Sequence, residues 1–162
     1  MRRVGASENS MLTAQNNLAA TYNNLGQTDK SLRMYREVYS GRLRLNGDED
    51  EKTLLAANNY AMVLLELQRF EEAKKVLRRT VPVARRVLGA EHALTLSLRE
   101  DLSRATLGGA SSAEEKREAL RILEEVAGVM RRVFGPAHPD TLFTQRKLKI
   151  YRRKFPGPGP TA

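Results

Sequence analysis

The residues of this chain that could do chemistry are few, and their spacing decides of what kind. Its two histidines, His92 and His138, stand in matching frames, Glu91-His92-Ala93-Leu94-Thr95-Leu96 and Ala137-His138-Pro139-Asp140-Thr141-Leu142. A zinc site needs three or four nitrogen, sulfur or oxygen ligands converging on one ion. The chain has no cysteine, and no carboxylate spacing completes a set around either histidine. Both are expected to serve as helix-start residues. The run Asp48-Glu49-Asp50-Glu51 lacks the alternating ligands and central glycine of a calcium loop. Carboxylates in that place suit the positive end of a helix. No glycine-rich phosphate loop, nucleophile elbow or His-Glu-x-x-His occurs. The pattern points to no catalytic residue, no metal and no cofactor, and to a chain that is not an enzyme.

What remains is polar and uncharged. Asn16-Asn17 and Asn58-Asn59 lie 42 positions apart, and Glu100-Asp101 stands a further 42 on. An asparagine side chain offers two donors and an acceptor without charge, so it can pair with a peptide backbone of any sequence. Asparagine is also a mediocre helix former, so doublets on a helix with regular apolar positions are not there for propensity. The alternatives are a solvated polar face, or hydrogen bonding between neighbouring helices.

These residues are positioned by a repeat, since a fixed period of this length means one supersecondary unit copied along the chain. The apolar spacing predicts seven helices. The first runs from a cap at Ser7 or Asn9 to about Leu25, and the second follows Thr28-Asp29 to about Leu45, ended by Asn46-Gly47. The third covers Glu51 to Leu67 and the fourth Phe70 to Leu88, with a kink expected at Pro82. The fifth covers Glu91 to Leu107. Four residues are then inserted around Gly108-Gly109-Ala110-Ser111-Ser112, and a capping box of Ser112 with Glu115 opens the sixth, to about Phe134. The seventh spans Pro139 to Lys154, proline being favoured in a first turn. The expected organisation is a flexible basic start at 1–7 and an array at 8–155, with units 8–47, 48–89 and 90–135 and a capping helix 138–154. A Pro/Gly-rich tail follows at 156–162. The fold class is all-α, an α-solenoid of antiparallel helix pairs, in which each pair leaves an apolar face that only its neighbours cover.

With 41% hydrophobic and 29% charged residues, the composition is that of a globular chain and not a disordered one. The net charge of +9, from 28 Lys+Arg against 19 Asp+Glu, favours an acidic partner. No apolar run reaches the roughly 18 residues of a membrane span, so a soluble, cytoplasmic location is expected.

Leu18-Ala19, Tyr22, Gly26 and Ser31, then Ala61, Leu64, Phe70 and Ala73, then Leu102, Ser103 and Ala119, fall at the spacing of tetratricopeptide repeats. The segments Leu88-Gly89-Ala90-Glu91-His92-Ala93-Leu94-Thr95-Leu96 and Phe134-Gly135-Pro136-Ala137-His138-Pro139-Asp140-Thr141-Leu142, with the 42-residue period, resemble the repeats of kinesin light chains. The resemblance covers about Asn9 to Phe155. The linker Gly47-Asp48-Glu49-Asp50-Glu51-Lys52-Thr53-Leu54 departs from it by lacking the histidine and proline, and Lys149 replaces a small residue in the last helix.

The resemblance implies a scaffold or adaptor that binds a peptide, expected to be acidic, in a concave groove lined by the first helix of each pair. The residues carried onto that face include Asn16, Asn17 and Asn23, then Asn58, Asn59 and Met62, then Ser97, Glu100, Asp101 and Arg104, and finally Phe143, Arg146 and Lys147. Two rivals stay open. One is nucleic-acid or anionic-surface binding by the basic last helix, with Arg146, Lys147, Lys149, Arg152, Arg153 and Lys154; nucleic acid is disfavoured because Phe143 is almost the only aromatic residue placed to stack on a base. The other is a structural spacer belonging to a larger parent repeat protein.

Overall fold

Each pair of helices in the chain is closed by small residues that let two backbones approach. Ala19, Ser31, Ala61, Ala73, Ser103 and Ala119 are all fully buried. The contact at Ser103 is close enough for its hydroxyl to donate to the Ala119 carbonyl at 2.6 Å. The computed structural model describes residues 2–110 and 112–155. Among them are seven helices and no strand: α1 (Arg2–Asn24), α2 (Thr28–Asn46), α3 (Glu51–Glu66), α4 (Phe70–Val87), α5 (Ala93–Gly109), α6 (Ala113–Val133) and α7 (Pro139–Lys154). Each helix packs on the next, and α3 packs also on α5. The result is an all-α solenoid of antiparallel pairs α1/α2, α3/α4 and α5/α6, with α7 laid against α6.

The helix starts follow from side-chain chemistry. Asp50 caps α3, its carboxylate accepting from the Lys52 and Thr53 amides at 3.0 and 3.2 Å. Glu49 pairs with Arg86 at 2.6 Å, so the acidic run is accounted for by capping and an ion pair. His92 and His138 cap α5 and α7 by equivalent bonds, each Nδ1 accepting from the amide two residues on, at 3.3 and 3.2 Å. Ser112 and Glu115 form the capping box of α6. Gly47, Gly89 and Gly135, each just past the end of a second-type helix, have φ of +84°, +98° and +92°, where a Cβ would be strained.

Two details differ from the sequence expectations. The first helix begins at Arg2, ahead of the expected cap at Ser7 or Asn9 and through the segment expected to be a loose basic start. Asn9 is engaged by α2 instead of capping: Arg42 donates to its side chain and, at 3.2 Å, to its carbonyl, and reaches Thr13 Oγ1 at 2.7 Å. Helix α4 carries Pro82 in its interior, where the sequence places it. Helix α5 begins at Ala93, because His92 is its cap and not a residue of its first turn. The tail at 156–162 lies outside the described residues.

The main core gathers apolar side chains of α1 to α5 around Leu64, Leu77 and Leu98, each fully buried. A smaller cluster of Leu96, Val126 and Met130 joins α5 to α6.

Candidate peptide-binding groove

The odd-numbered helices are joined by a ladder of side-chain hydrogen bonds. Asn59 donates to Asn16 Oδ1 at 3.1 Å and Asn23 donates to Glu66 at 2.9 Å, tying α1 to α3. The Ser97 hydroxyl donates to Asn58 Oδ1 at 3.3 Å, tying α3 to α5. Thr144 donates to Glu100 Oε2 at 2.6 Å and Lys147 pairs with Glu100 Oε1, tying α5 to α7. Asn16, Asn23, Asn58 and Asn59 thus hydrogen-bond between neighbouring helices, one of the alternatives left open by the sequence.

Beside this ladder a cleft of about 400 Å³ runs across α3, α5 and α7. It brings together Asn58, Met62, Ser97, Glu100, Asp101, Arg104, Phe143 and Lys147 of the expected residues. Phe143 is 57% exposed and carries the Lys147 ammonium 4.1 Å above its ring. Asn16, Asn17, Asn23, Asn59 and Arg146 do not line it. Asn16, Asn23 and Asn59 stand in the ladder, while Asn17 and Arg146 are exposed.

The electrostatics of the cleft were not legible from net charge. Its walls hold Glu66, Glu100, Asp101 and Asp140 against Arg104 and Lys147. Glu100 is paired with Lys147 and accepts from the Thr144 hydroxyl, whereas among the described residues Asp101 has only Arg104 as an ion-pair partner, at 3.8 Å. Burial pushes the Asp101 carboxyl up to about 6, against the opposing pull of Arg104 and Lys147. The chain's positive surplus therefore lies outside this cleft.

The tetratricopeptide repeat family model matches residues 10–85 and 53–116, and a second model of the same description matches 110–140. The chain belongs to the tetratricopeptide repeat family. Its helix pairs are that family's units, and the family is one of protein-interaction scaffolds. No curated protein matches this tetratricopeptide repeat chain in sequence.

Among solved structures it is similar to a Podosopora anserina protein described as a kinesin light chain with nearly identical TPR-like repeats. The TM-score is 0.77 at 23% identity, over 88–89% of this chain and 66% of that one, in the parent protein and in a single-substitution variant. It is also similar to BtubC (BKLC) from P. vanneervenii, with a TM-score of 0.56 at 16% identity, over 96% of this chain and 68% of that one. The chain thus has the fold of kinesin light chain-like repeats and spans just under two thirds of the Podosopora protein. Among the described residues, no helix is long and apolar enough to cross a membrane.

Proposed function

We propose that this tetratricopeptide repeat chain is a non-catalytic scaffold that holds a peptide segment of a partner protein across α3, α5 and α7. The observation that carries this reading is the central cleft. It offers the apolar Met62 and the exposed ring of Phe143 for side chains, with Asn58, Ser97, Arg104 and Lys147 for backbone or charged groups. Clefts that pair apolar walls with a few convergent polar groups are where ligands bind. Asn59, Asn16 and Asn17 extend the surface toward α1, where a peptide backbone would share or exchange the Asn16–Asn59 bond. The expected acidity of the partner is kept for the part of the peptide that leaves the cleft past Arg104. In the middle, the carboxylates favour an uncharged or cationic residue.

The test is selection of peptides from a displayed library on the immobilised chain, followed by calorimetry with the free peptides. Met62→Glu, which puts a charge on the apolar wall, is expected to weaken the selected peptides at least 10-fold, and Asn59→Ala to weaken them less. Peptides that bind both variants as well as they bind the parent would remove the groove from the account.

A further inference from the structure

A second cleft, of about 610 Å³, opens at the C-terminal ends of α3, α5 and α7. Arg104 lines both clefts, so the two adjoin along α5. The chemistry of this one is different. Its walls carry three cations, Arg104, Lys116 and Lys154, and three aromatic rings, Phe70, Tyr151 and Phe155, and no carboxylate. Lys116 and Lys154 hold their ammonium groups 5.3 and 5.6 Å from the Phe155 ring centroid. Tyr151 stacks on the same ring, with centroids 6.5 Å apart and planes inclined by 22°. Neither lysine has a carboxylate partner among the described residues, and Arg104 has only Asp101 at 3.8 Å.

An aromatic ring attracts an ammonium weakly at an exposed site, enough to place the group but not to neutralise it. The cleft therefore asks for an anion, and its aromatic walls ask for one carried on a flat apolar body. A carboxylate brings one charge and two oxygens. A phosphate monoester brings a charge of about −1.5 to −2 and three strong acceptor oxygens, which matches three cationic donors better.

The geometry points to a phosphotyrosine of the bound peptide, its phosphate among Arg104, Lys116 and Lys154 and its ring among Phe70, Tyr151 and Phe155. The assignment names a subsite of the groove proposed above and rests on that reading for the peptide. It makes binding of the partner dependent on phosphorylation, a control that net charge alone does not supply.

The test uses the full chain and N-acetyl-phosphotyrosine amide, titrated by NMR at moderate salt. N-acetyl-tyrosine amide, N-acetyl-phosphoserine amide and N-acetyl-glutamate amide are titrated beside it. The phosphotyrosine probe is expected to bind at least 10-fold more tightly than each of the other three. Lys116→Ala/Lys154→Ala, with circular dichroism to verify the fold, is expected to remove at least 10-fold of that affinity, and Arg104→Gln to weaken it independently. Equal binding of phosphoserine would overturn the aromatic half of the assignment, and equal binding of glutamate the phosphate half. No saturable binding, or full binding by both variants, would overturn it entirely. An amino-acid amide has no peptide to lay across the groove, so its failure sinks the subsite alone. The groove itself stands or falls with the library peptides and Met62→Glu.

Discussion

Asp101 is the residue at which the structure makes its sharpest quantitative prediction. It is 7% exposed, with burial as the largest influence on its carboxyl, Arg104 and Lys147 as partly offsetting cations, and Glu100 and Glu66 as like charges that raise it further. The folded carboxyl titrates near 6 against an unfolded value of 3.8. A raised acid binds more protons folded than unfolded, so its contribution to stability falls as pH rises from 3.8 through 6. Above pH 6 the cost approaches about 3 kcal/mol, from the 2.2-unit difference at 1.36 kcal/mol per unit. Between pH 7.5 and pH 5 this one group should return on the order of 1 kcal/mol. Asp101→Asn removes the titration while keeping the size and a hydrogen-bonding side chain. Urea unfolding of both proteins at pH 5, 6 and 7.5 is the assay. The variant is expected to be the more stable by about 1–3 kcal/mol at pH 7.5, with the gap narrowing by roughly 1 kcal/mol at pH 5. A variant destabilised at pH 7.5, or a gap that does not close on acidification, would mean that Arg104 and Lys147 compensate the charge fully and that the cleft is wetter than its burial indicates.

Further outcomes follow from other contacts. Leu64→Ala, at a fully buried position of the main core, should cost about 2–5 kcal/mol in the same unfolding experiment. Ser112→Ala removes the side-chain acceptor for the Glu115 amide and should cost about 1 kcal/mol, with loss of helical signal confined to the start of α6. Gly108→Ala would place a Cβ 2.3–2.6 Å from atoms of the Phe70 ring. The ring must move, so Phe70 NMR shifts should change and phosphotyrosine affinity should alter with them. Arg152→Ala breaks an exposed pair with Glu124 at 2.7 Å and should change stability by less than about 1 kcal/mol.

The fold was legible because three signals agreed: the 42-residue spacing, the small residues at Ala19, Ala61 and Ser103, and local start signals at Asp50, Ser112 and Pro139. Each is a property of residue type and position that a sequence displays directly. The start of α1 was not legible, because what keeps Asn9 from capping is Arg42, 33 residues away on another helix. Pro82 lies inside α4, where the sequence places it, between the buried Val81 and the buried Ala84. For the asparagine doublets, the sequence did not choose between ligand contact and bonding between helices; the structure shows Asn16, Asn58 and Asn59 bonded across helices. Net charge misdescribed the cleft, since a total of +9 says nothing of where four carboxylates converge. The second cleft was missed because Phe70, Lys116 and Tyr151 stand in three separate units, and only the corner after Gly109 brings them together.

The ladder changes what a ligand on this surface would do. Asn16–Asn59, Asn58–Ser97 and Glu100–Thr144 link successive units by polar side chains beside the cleft. Each such bond contributes only about 0.5–1.5 kcal/mol net, which a peptide backbone offering the same donors and acceptors could replace at little cost. In a solenoid, stability is close to a sum of unit and nearest-neighbour terms. A peptide that exchanges one rung therefore alters the coupling of two adjacent units without unfolding either. Asn59→Ala separates the two uses of the rung. If the ladder acts only between helices, the variant unfolds earlier while the selected peptides keep their affinity. If the rung is also a ligand contact, peptide affinity falls by more than the groove variant's own stability loss explains, and amide exchange across α1 and α3 slows when peptide is added to the parent chain but not to the variant.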